Sequence, residues 1–498
     1  MENRSKVFNF LMVISFAVVV ALCVKGAAIV LQDKASEYKY ADFFDRADQI
    51  DVLFLGSSHV INALNPTVLY REQGITSYNM GGHGSIMQAT YWELMEALQY
   101  CTPKCVVVDT YMLQKNYKYL DQMDEDATDK DREASVAQLH LNMDCWPLND
   151  LKAEAIQDLI ADEGIRKQFY EPFYVYHHRW EGIGENDYRS LLKKGDRNPL
   201  FGAEMRYGIE LTPGIYPDPE DDNGLGGDTI GEEYLGKIID ECKKRDIEVI
   251  VTFLTCSAST DDKRAADSAR IICEDKDVQF VNMQNLGVVD LYTDLNDTGH
   301  MNANGSIKAT RCIGKILADT GKCKDHRGEA GYDYWQQRTD EFYKTIYDMA
   351  VSSDSLYQQL DYLAEARTLS AIIYVNDGSQ AFGDSQFQEL IHNFVVTPKI
   401  YHTDGPYILI REASSDMAYE ASEKESLSGI KTGLGTLNYQ PVEHLFRLLY
   451  TDEDPDTNLL YDDDKTDYDI QIITYDSDSG EILSHNYYKS YGSNYTKG

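Results

Sequence analysis

The pattern of apolar and polar positions divides the chain into an apolar amino terminus, a long alternating region and a carboxyl-terminal region of short strands. In the alternating region, short runs that are apolar at every position are followed by helix-like stretches. Such continuous runs are typical of strands that are buried on both faces of a parallel sheet. The pattern therefore predicts an α/β fold with three layers, in which helices cover both faces of a doubly wound, flavodoxin-like sheet.

The alternating region predicts a sheet of about five strands, at 51–55, 75–79, 105–108, 248–254 and 278–282. Helices are predicted between and after them, at 63–73, 87–100, 232–244, 264–274 and 305–320. A charged and aromatic stretch from about 115 to 230 breaks the alternation, and we interpret it as an insertion. Ligands of doubly wound sheets bind beyond the carboxyl ends of the strands, so residues that follow the strands are the candidate site.

The amino terminus has the length of a membrane-spanning segment. Arg4 and Lys6 precede an uncharged, mostly apolar stretch from 7 to 24, and apolar residues resume after Lys25 as far as Leu31. Because the basic residues come first, the positive-inside rule predicts a cytoplasmic amino terminus and an extracytoplasmic location for the rest of the chain. A cleaved signal peptide is the alternative. No Ala-x-Ala site follows the apolar run, which favours an uncleaved, single-pass anchor in the cell membrane.

The same pattern predicts the order of the domains. After an anchor at 1–32, we expect an α/β domain at 33–327, a helical connector at 328–366 and a β-rich accessory domain at 367–498. Acidic clusters at 452–456 and 462–464 fall in predicted loops of the last domain. They lack the alternating oxygen ligands and following glycine of a calcium loop, so we interpret them as solvated loops.

Charge and cysteine content narrow the class of function. The chain has 83 Asp and Glu against 46 Lys and Arg, and its formal net charge is -37. Such a surface repels nucleic acid, which excludes it as a partner. The nine cysteines contain no Cys-x-x-Cys pair, so a zinc cluster is not indicated. We expect most of the cysteines to be core residues, and we expect no metal or other cofactor.

Two short segments carry the candidate chemistry. The turn Gly56–Ser58 follows the first predicted strand and presents a serine. Almost 240 residues later, Asp297 precedes His300 by three residues, a spacing that can place a carboxylate beside an imidazole. A serine hydroxyl becomes a good nucleophile when a neighbouring base takes its proton. We therefore predict Ser58 as the nucleophile, His300 as the base and Asp297 as the acid that orients it.

These segments resemble motif blocks of the SGNH (GDSL-like) hydrolase superfamily, and the resemblance covers about 270 residues. Gly-Ser-Ser stands where the family has its nucleophile, and Asp-x-x-His stands where it has its acid and base. The Gly81-Gly82 turn, after the second predicted strand, resembles the block that supplies an oxyanion-binding amide. Asn302 and Gly305, which open the last helix, are similar to the membrane-anchored branches, namely the DltD-like proteins and the alginate O-acetyltransferases.

The resemblance implies an oxyanion site made by the amides of Ser58 and Gly82, together with the side chain that follows the third strand. The family has an Asn there, whereas this chain has Asp109-Thr110-Tyr111. An ionised Asp109 would repel an oxyanion, and the loss of one donor costs about 3 kcal/mol of transition-state stabilisation. Either Thr110 or Tyr111 donates instead, or Asp109 turns away from the pocket, or the enzyme is slow.

Further residues are candidates for lining the pocket. Gly81 and Asn302 belong to the motif blocks, and His178 and Arg179 belong to an aromatic and basic cluster at 176–180. That cluster either closes over the site, with Arg179 binding an anionic or carbonyl group, or is a packed helix end. A metal site built on its histidines lacks a carboxylate at helical spacing.

The resemblance implies a bacterial esterase or O-acyltransferase that acts on acylated cell-envelope polysaccharide or teichoic acid through an acyl-serine. Hydrolase and transferase share every residue named above. The terminal region is similar to an interleukin-like EMT inducer (PANDER-like) domain, which implies a module that binds cell-surface glycan. Two alternatives stay open: a non-catalytic glycan-binding surface protein, and an accessory subunit that receives acyl groups from a multi-span acyltransferase partner.

Overall fold

The chain forms two compact units in the computed structural model, which describes residues 2–114, 128–210, 213–226, 229–442, 445–450, 459–460, 468–491 and 494–498. The first unit consists of residues 1–205, 215–288 and 307–338, and the second of residues 206–214, 289–306 and 339–498. Both acidic clusters and the start of the predicted insertion lie outside the described residues. The domain boundaries drawn from the sequence stay a prediction.

A parallel five-stranded sheet forms the centre of the first unit. Its strands are β1 (Val52–Leu55), β2 (Ser77–Asn79), β3 (Cys105–Asp109), β4 (Glu248–Phe253) and β5 (Gln279–Asn282). They lie in the order β2-β1-β3-β4-β5 and all pair in parallel. Every residue of β1 and β3 is buried, as expected of strands covered on both faces. The order is that of a flavodoxin-like sheet, and the predicted fold class is confirmed.

The helices as far as the second sheet region are α1 (Glu2–Leu31), α2 (Ala35–Arg46), α3 (Ser58–Ala63), α4 (Pro66–Gln73), α5 (Met87–Ala97), α6 (Asp129–Met143), α7 (Asp150–Leu159), α8 (Glu163–Tyr170), α9 (Pro172–Tyr176), α10 (Glu185–Arg189), α11 (Ile230–Lys244), α12 (Thr260–Asp275), α13 (Ala303–Asp319) and α14 (Asp333–Ser352). The helix predicted at 63–73 corresponds to α4, which begins three residues later, and α3 was not predicted. The Asn65 side chain accepts the amide of Thr67 and starts α4, while Pro66 prevents α3 from continuing.

Helix α1 has the predicted apolar segment. Val7–Leu31 is a 25-residue stretch with a mean hydropathy of 2.7, and the stretch is exposed along its most apolar part. It is long and apolar enough to cross a membrane. Membrane anchoring by α1 and its direction stay predictions.

The second unit is rich in antiparallel strands, in accord with the predicted β-rich carboxyl terminus. One sheet has the order β14-β13-β12-β6-β7-β8 and another has the order β11-β10-β9. Its elements are α15 (Leu356–Glu365), β6 (Leu369–Val375), α16 (Ser385–His392), β7 (Tyr407–Glu412), β8 (Met417–Ser422), β9 (Leu427–Thr432), β10 (Gly435–Val442), β11 (Leu445–Tyr450), β12 (Ile470–Asp476), β13 (Ile482–Tyr491) and β14 (Asn494–Lys497).

Candidate active site

Ser58 occupies the turn between β1 and α3. Gly56 has a φ of +147°, and a Cβ atom there would lie 2.7 Å from Cγ2 of Val60, so only glycine fits the turn. The Ser57 hydroxyl oxygen accepts the amide of His59 at 3.3 Å and caps α3. Ser58 is therefore the first residue of the helix. The Gly-Ser-Ser sequence thus places Ser58 at the carboxyl edge of the sheet.

Asp297 holds His300 through the Nδ1 atom of its ring. Oδ1 of Asp297 lies 2.7 Å from Nδ1 and also accepts the backbone amides of Gly299 and His300, each at 3.0 Å. Arg206 forms an ion pair with the other carboxylate oxygen. A carboxylate on Nδ1 makes Nε2 the ring nitrogen that exchanges a proton with a nucleophile. The predicted acid and base are therefore in contact.

The surroundings of Asp297 keep its carboxylate ionised. Partial burial acts to raise its pKa, but the hydrogen bond and charge of His300, the Gly299 amide and the charge of Arg206 together bring the pKa below its usual value. Arg206 was not recognised in the sequence. It lies 91 residues before Asp297, within the predicted insertion, and no local motif marks it.

Ser58 belongs to the first unit, whereas Asp297 and His300 belong to the second. The structure places the carboxylate of Asp297 in contact with the ring of His300. The meeting of Ser58 with His300 stays a prediction.

Both backbone amides of the glycine turn after β2 donate hydrogen bonds to other groups of the fold. The amide of Gly82 donates to the carbonyl oxygen of Gly56 at 2.9 Å, and the amide of Gly81 donates to Oδ1 of Asn79 at 3.0 Å. Nδ2 of Asn79 in turn donates to the carbonyl oxygens of Val60 and Leu64, which belong to α3 and its end. The turn therefore ties β2 to the loop that carries Ser58. We leave Gly82 out of the proposed oxyanion site.

Asp109 and Thr110 at the end of β3 also bind backbone groups. Oδ1 of Asp109 accepts the amide of Leu254 at 3.0 Å, and Oδ2 accepts the amide of Tyr111 at 3.3 Å. Burial raises the pKa of Asp109 to about 7. The hydroxyl and the amide of Thr110 both donate to the carbonyl oxygen of Thr252, at 3.2 Å and 3.0 Å. Because both donors of Thr110 are used, we leave it out of the oxyanion site as well.

Tyr111 is the remaining side chain at this strand end. Its ring stacks on His59, with centroids 3.3 Å apart and an angle of 17° between the planes. This places Tyr111 beside the residue that follows Ser58. Donation to the oxyanion by Tyr111 stays a prediction.

The other residues predicted to line the pocket have structural contacts. Nδ2 of Asn302 donates to the carbonyl oxygen of Thr293 at 2.8 Å, and its Oδ1 accepts the amide of Gly305 at 2.9 Å. Asn302 is fully buried, so it closes the loop before α13. Arg179 donates to the carbonyl oxygens of Leu31 and Gln32 at the end of α1, so it does not bind a ligand there.

His178, in the same cluster as Arg179, is exposed. Its ring is nearly perpendicular to the ring of His177, with the centroids 5.8 Å apart. Within the described part of the chain, no group of three or more His, Cys, Asp or Glu residues is arranged to hold a metal ion.

Two buried ionisable residues, Lys39 and Glu93, lie near the glycine turn. Nζ of Lys39 donates to the carbonyl oxygen of Gly81. Oε1 of Glu93 contacts the hydroxyl of Ser85 at 3.5 Å, while Oε2 has no hydrogen-bond partner among the residues that the structure describes. Burial raises the pKa of Glu93 to about 8, and burial also lowers the pKa of Lys39. A folded chain therefore keeps the Glu93 proton at neutral pH.

Replacing Glu93 by glutamine should change how stability depends on pH. The unfolded chain loses this proton near the ordinary value of 4.5, and the folded chain loses it near 8. The stability that protonated Glu93 contributes is therefore complete below the first value and is lost as the pH rises to the second. Glutamine stays neutral, so the melting temperature of Glu93→Gln relative to wild type should rise between pH 5 and pH 8. Melts followed by circular dichroism measure this difference.

The exposed Glu181 provides the control for that comparison, because Glu181→Gln removes a solvated carboxylate. Its melting temperature should follow that of the wild type at every pH. A constant difference between Glu93→Gln and wild type from pH 5 to pH 8 would contradict the burial of a neutral Glu93.

Comparisons with known proteins show no family for this chain. No protein-family model matches the sequence, and no curated protein matches it. Among solved structures, it is similar to a GDSL-like lipase from Bacteroides thetaiotaomicron, with 11% sequence identity and a TM-score of 0.27. The similarity covers 58% of this chain and 99% of that one. A likeness of this size carries no argument about activity, and the fold assignment rests on the strand order described above.

Proposed function

We propose that the protein is a membrane-anchored, extracytoplasmic serine esterase or O-acyltransferase. The observation that carries the proposal is the Asp297–His300 pair, in which an ionised carboxylate holds the base through Nδ1. Ser58, on a strand–turn–helix connection, supplies the nucleophile. Helix α1 supplies the anchor, so the substrates are esters of the cell envelope, such as acylated polysaccharide or teichoic acid.

In the proposed reaction, Oγ of Ser58 attacks the ester carbonyl carbon while His300 takes the hydroxyl proton. Asp297 stabilises the imidazolium that forms. The tetrahedral intermediate collapses, and the leaving alcohol takes the proton back from His300. Water or a sugar hydroxyl then attacks the acyl-serine by the same route in reverse. A multi-span membrane partner would supply the acyl group if the acceptor is a sugar.

The test is acylation of the full chain in detergent by an activated ester such as p-nitrophenyl acetate. Peptide mass spectrometry should find one acetyl group on Ser58 under conditions of rapid quenching, and Ser58→Ala should abolish both the adduct and ester turnover. Ser135→Ala, which removes a half-buried hydroxyl on α6, is the control and should behave as wild type. Wild-type turnover in Ser58→Ala would end the proposal.

Replacing Tyr111 by phenylalanine should lower kcat by about 100-fold, because one oxyanion donor contributes a factor of this size. Phenylalanine keeps the ring that stacks on His59, so KM and the melting temperature should change little. Steady-state kinetics with the same ester measure the effect. An unchanged kcat would show that Tyr111 does not donate and that the site works with fewer donors.

A non-catalytic glycan-binding function is the second candidate. It is favoured by the use of the Gly82 amide and of both Thr110 donors within the fold, and by Asp109 in place of an asparagine. In that case, binding to acetylated polysaccharide would survive Ser58→Ala and His300→Ala, and no ester turnover would be measured in the wild type.

A further inference from the structure

We propose that residues 172–192, here named the collar, lie on the surface of a lipid bilayer around the point where α1 leaves it. The collar consists of α9, α10 and the 3₁₀ turns His177–Gly182 and Ser190–Leu192. The proposal rests on the proposed anchoring by α1. It adds a second contact with the membrane, which is made by the globular part of the first unit.

The collar has an unusual density of exposed apolar side chains. Tyr174, Trp180 and Leu192 are 67%, 65% and 71% exposed, and Phe173, Tyr188 and Leu191 are exposed as well. Exposed clusters of this kind mark surfaces that bind a partner or a membrane. Trp and Tyr in particular favour the boundary between lipid chains and headgroups, where an apolar ring and a polar atom are both accommodated.

Direct contacts attach the collar to the last turns of α1. All four collar elements contact α1. Cδ2 of Leu191 lies 3.9 Å from the position that a Cβ atom on Gly26 would take. Arg179 binds the carbonyl oxygens of Leu31 and Gln32 at 2.8 Å and 2.6 Å, which satisfies backbone groups left open where the helix ends. The collar is therefore held at the end of the apolar helix, from Gly26 to Gln32.

The length of α1 places that end at the membrane surface. The apolar stretch has 25 residues, which span about 37 Å at about 1.5 Å per residue. The hydrocarbon core is about 30 Å thick, so about five residues project beyond it. Lys25 lies two residues before the projecting part, at a depth where a lysine can reach the headgroups. The collar contacts this end of α1, and its exposed side chains therefore lie at the level of the headgroups.

Charge distinguishes the collar from the rest of the chain. The chain has 83 Asp and Glu against 46 Lys and Arg, whereas the collar has three acidic residues against two basic ones and is followed directly by Lys193 and Lys194. An acidic surface is repelled by anionic lipids. Together with the two lysines that follow it, the collar has no acidic excess, which agrees with a lipid surface as the partner.

Tryptophan quenching in nanodiscs tests the proposal with the full chain. Lipids brominated near the headgroup should quench the Trp180-dependent emission, taken as the difference between wild type and Trp180→Phe, by about twofold or more relative to unbrominated lipids. In the Trp180→Phe background, Tyr174→Trp should also be quenched. Tyr216→Trp in the same background is the matched control, because Tyr216 is exposed outside the collar, and it should not be quenched.

Flotation of vesicles in alkaline carbonate separates the two proposals. A chain that stays in the vesicles while Trp180 is unquenched would overturn the collar and leave the anchor intact. A chain that carbonate extracts would overturn the anchor, and the collar with it. Equal quenching of the Tyr174 and Tyr216 probes would also overturn the collar, since the contact would then be unspecific.

Discussion

Replacing Asp297 by asparagine should lower kcat for ester turnover by about 10⁴-fold, the size of loss that follows when the acid of a Ser-His-Asp triad is made an amide. Asparagine has one acceptor oxygen, whereas donors face both oxygens of this carboxylate. Two backbone amides and Nδ1 of His300 face Oδ1, and Arg206 faces Oδ2. Either orientation of the amide therefore sets an NH₂ group against a donor, and the tautomer of His300 is no longer fixed.

The loss should appear in kcat far more than in stability. The Asp297 side chain is 39% exposed, and ion pairs at such positions contribute about 1 kcal/mol or less to folding. Asp196→Asn is the matched control, because Asp196 is an exposed acid that pairs with Arg189 at 2.9 Å. Steady-state kinetics and thermal melts of the two variants separate the effects. If Asp297→Asn kept more than about a tenth of wild-type kcat, Asp297 would not be the acid of a triad.

Strands β1 and β3 of the parallel sheet could be predicted because burial on both faces leaves continuous apolar runs in the sequence. Residues 105–109 are apolar up to the last position, and such a run of β-branched residues is typical of a strand in a parallel sheet. Helix α3 was missed because it has only six residues, too few to show a helical period. Its start depends on the cap at Ser57, which becomes visible only once the turn at Gly56 is known.

The candidate site was predictable only where its geometry is local. Asp297 and His300 are three residues apart, so spacing alone could place them in contact. The donors of Gly82 and Thr110 bind the carbonyl oxygens of Gly56 and Thr252. No local sequence pattern shows that a donor is already hydrogen-bonded to a carbonyl far away in the sequence. For the same reason, the sequence left open whether Arg179 binds a ligand or packs at a helix end. Its charge is visible in the sequence, but the end of α1 that it binds is 147 residues away.

Oxidation should link Cys105 to Cys323 and make the first unit much more stable. Their sulfur atoms are 3.5 Å apart, with Cys105 at the start of β3 and Cys323 just after α13. Oxidised glutathione would accept the two electrons as the thiols lose their protons and the S–S bond forms. The link would close a loop between residues 218 positions apart, which corresponds to about 5 kcal/mol in the chain-entropy model. Peptide mapping without reductant identifies the bond, and melts with and without dithiothreitol measure its effect.

Cys323→Ser is the control, because it keeps the size of the side chain while removing the link, and dithiothreitol should not change its melting temperature. A wild-type chain that stays reduced in excess oxidised glutathione would contradict the prediction.

The same disulfide bond also bears on the membrane topology of the chain. Disulfides persist outside the cytoplasm and are rare within it. If the chain is alkylated during isolation from its native membrane and is found linked, the first unit has been exposed to an oxidising compartment, as the charges before the apolar stretch of α1 predict. Recovery of both thiols in alkylated form would favour the opposite orientation of α1.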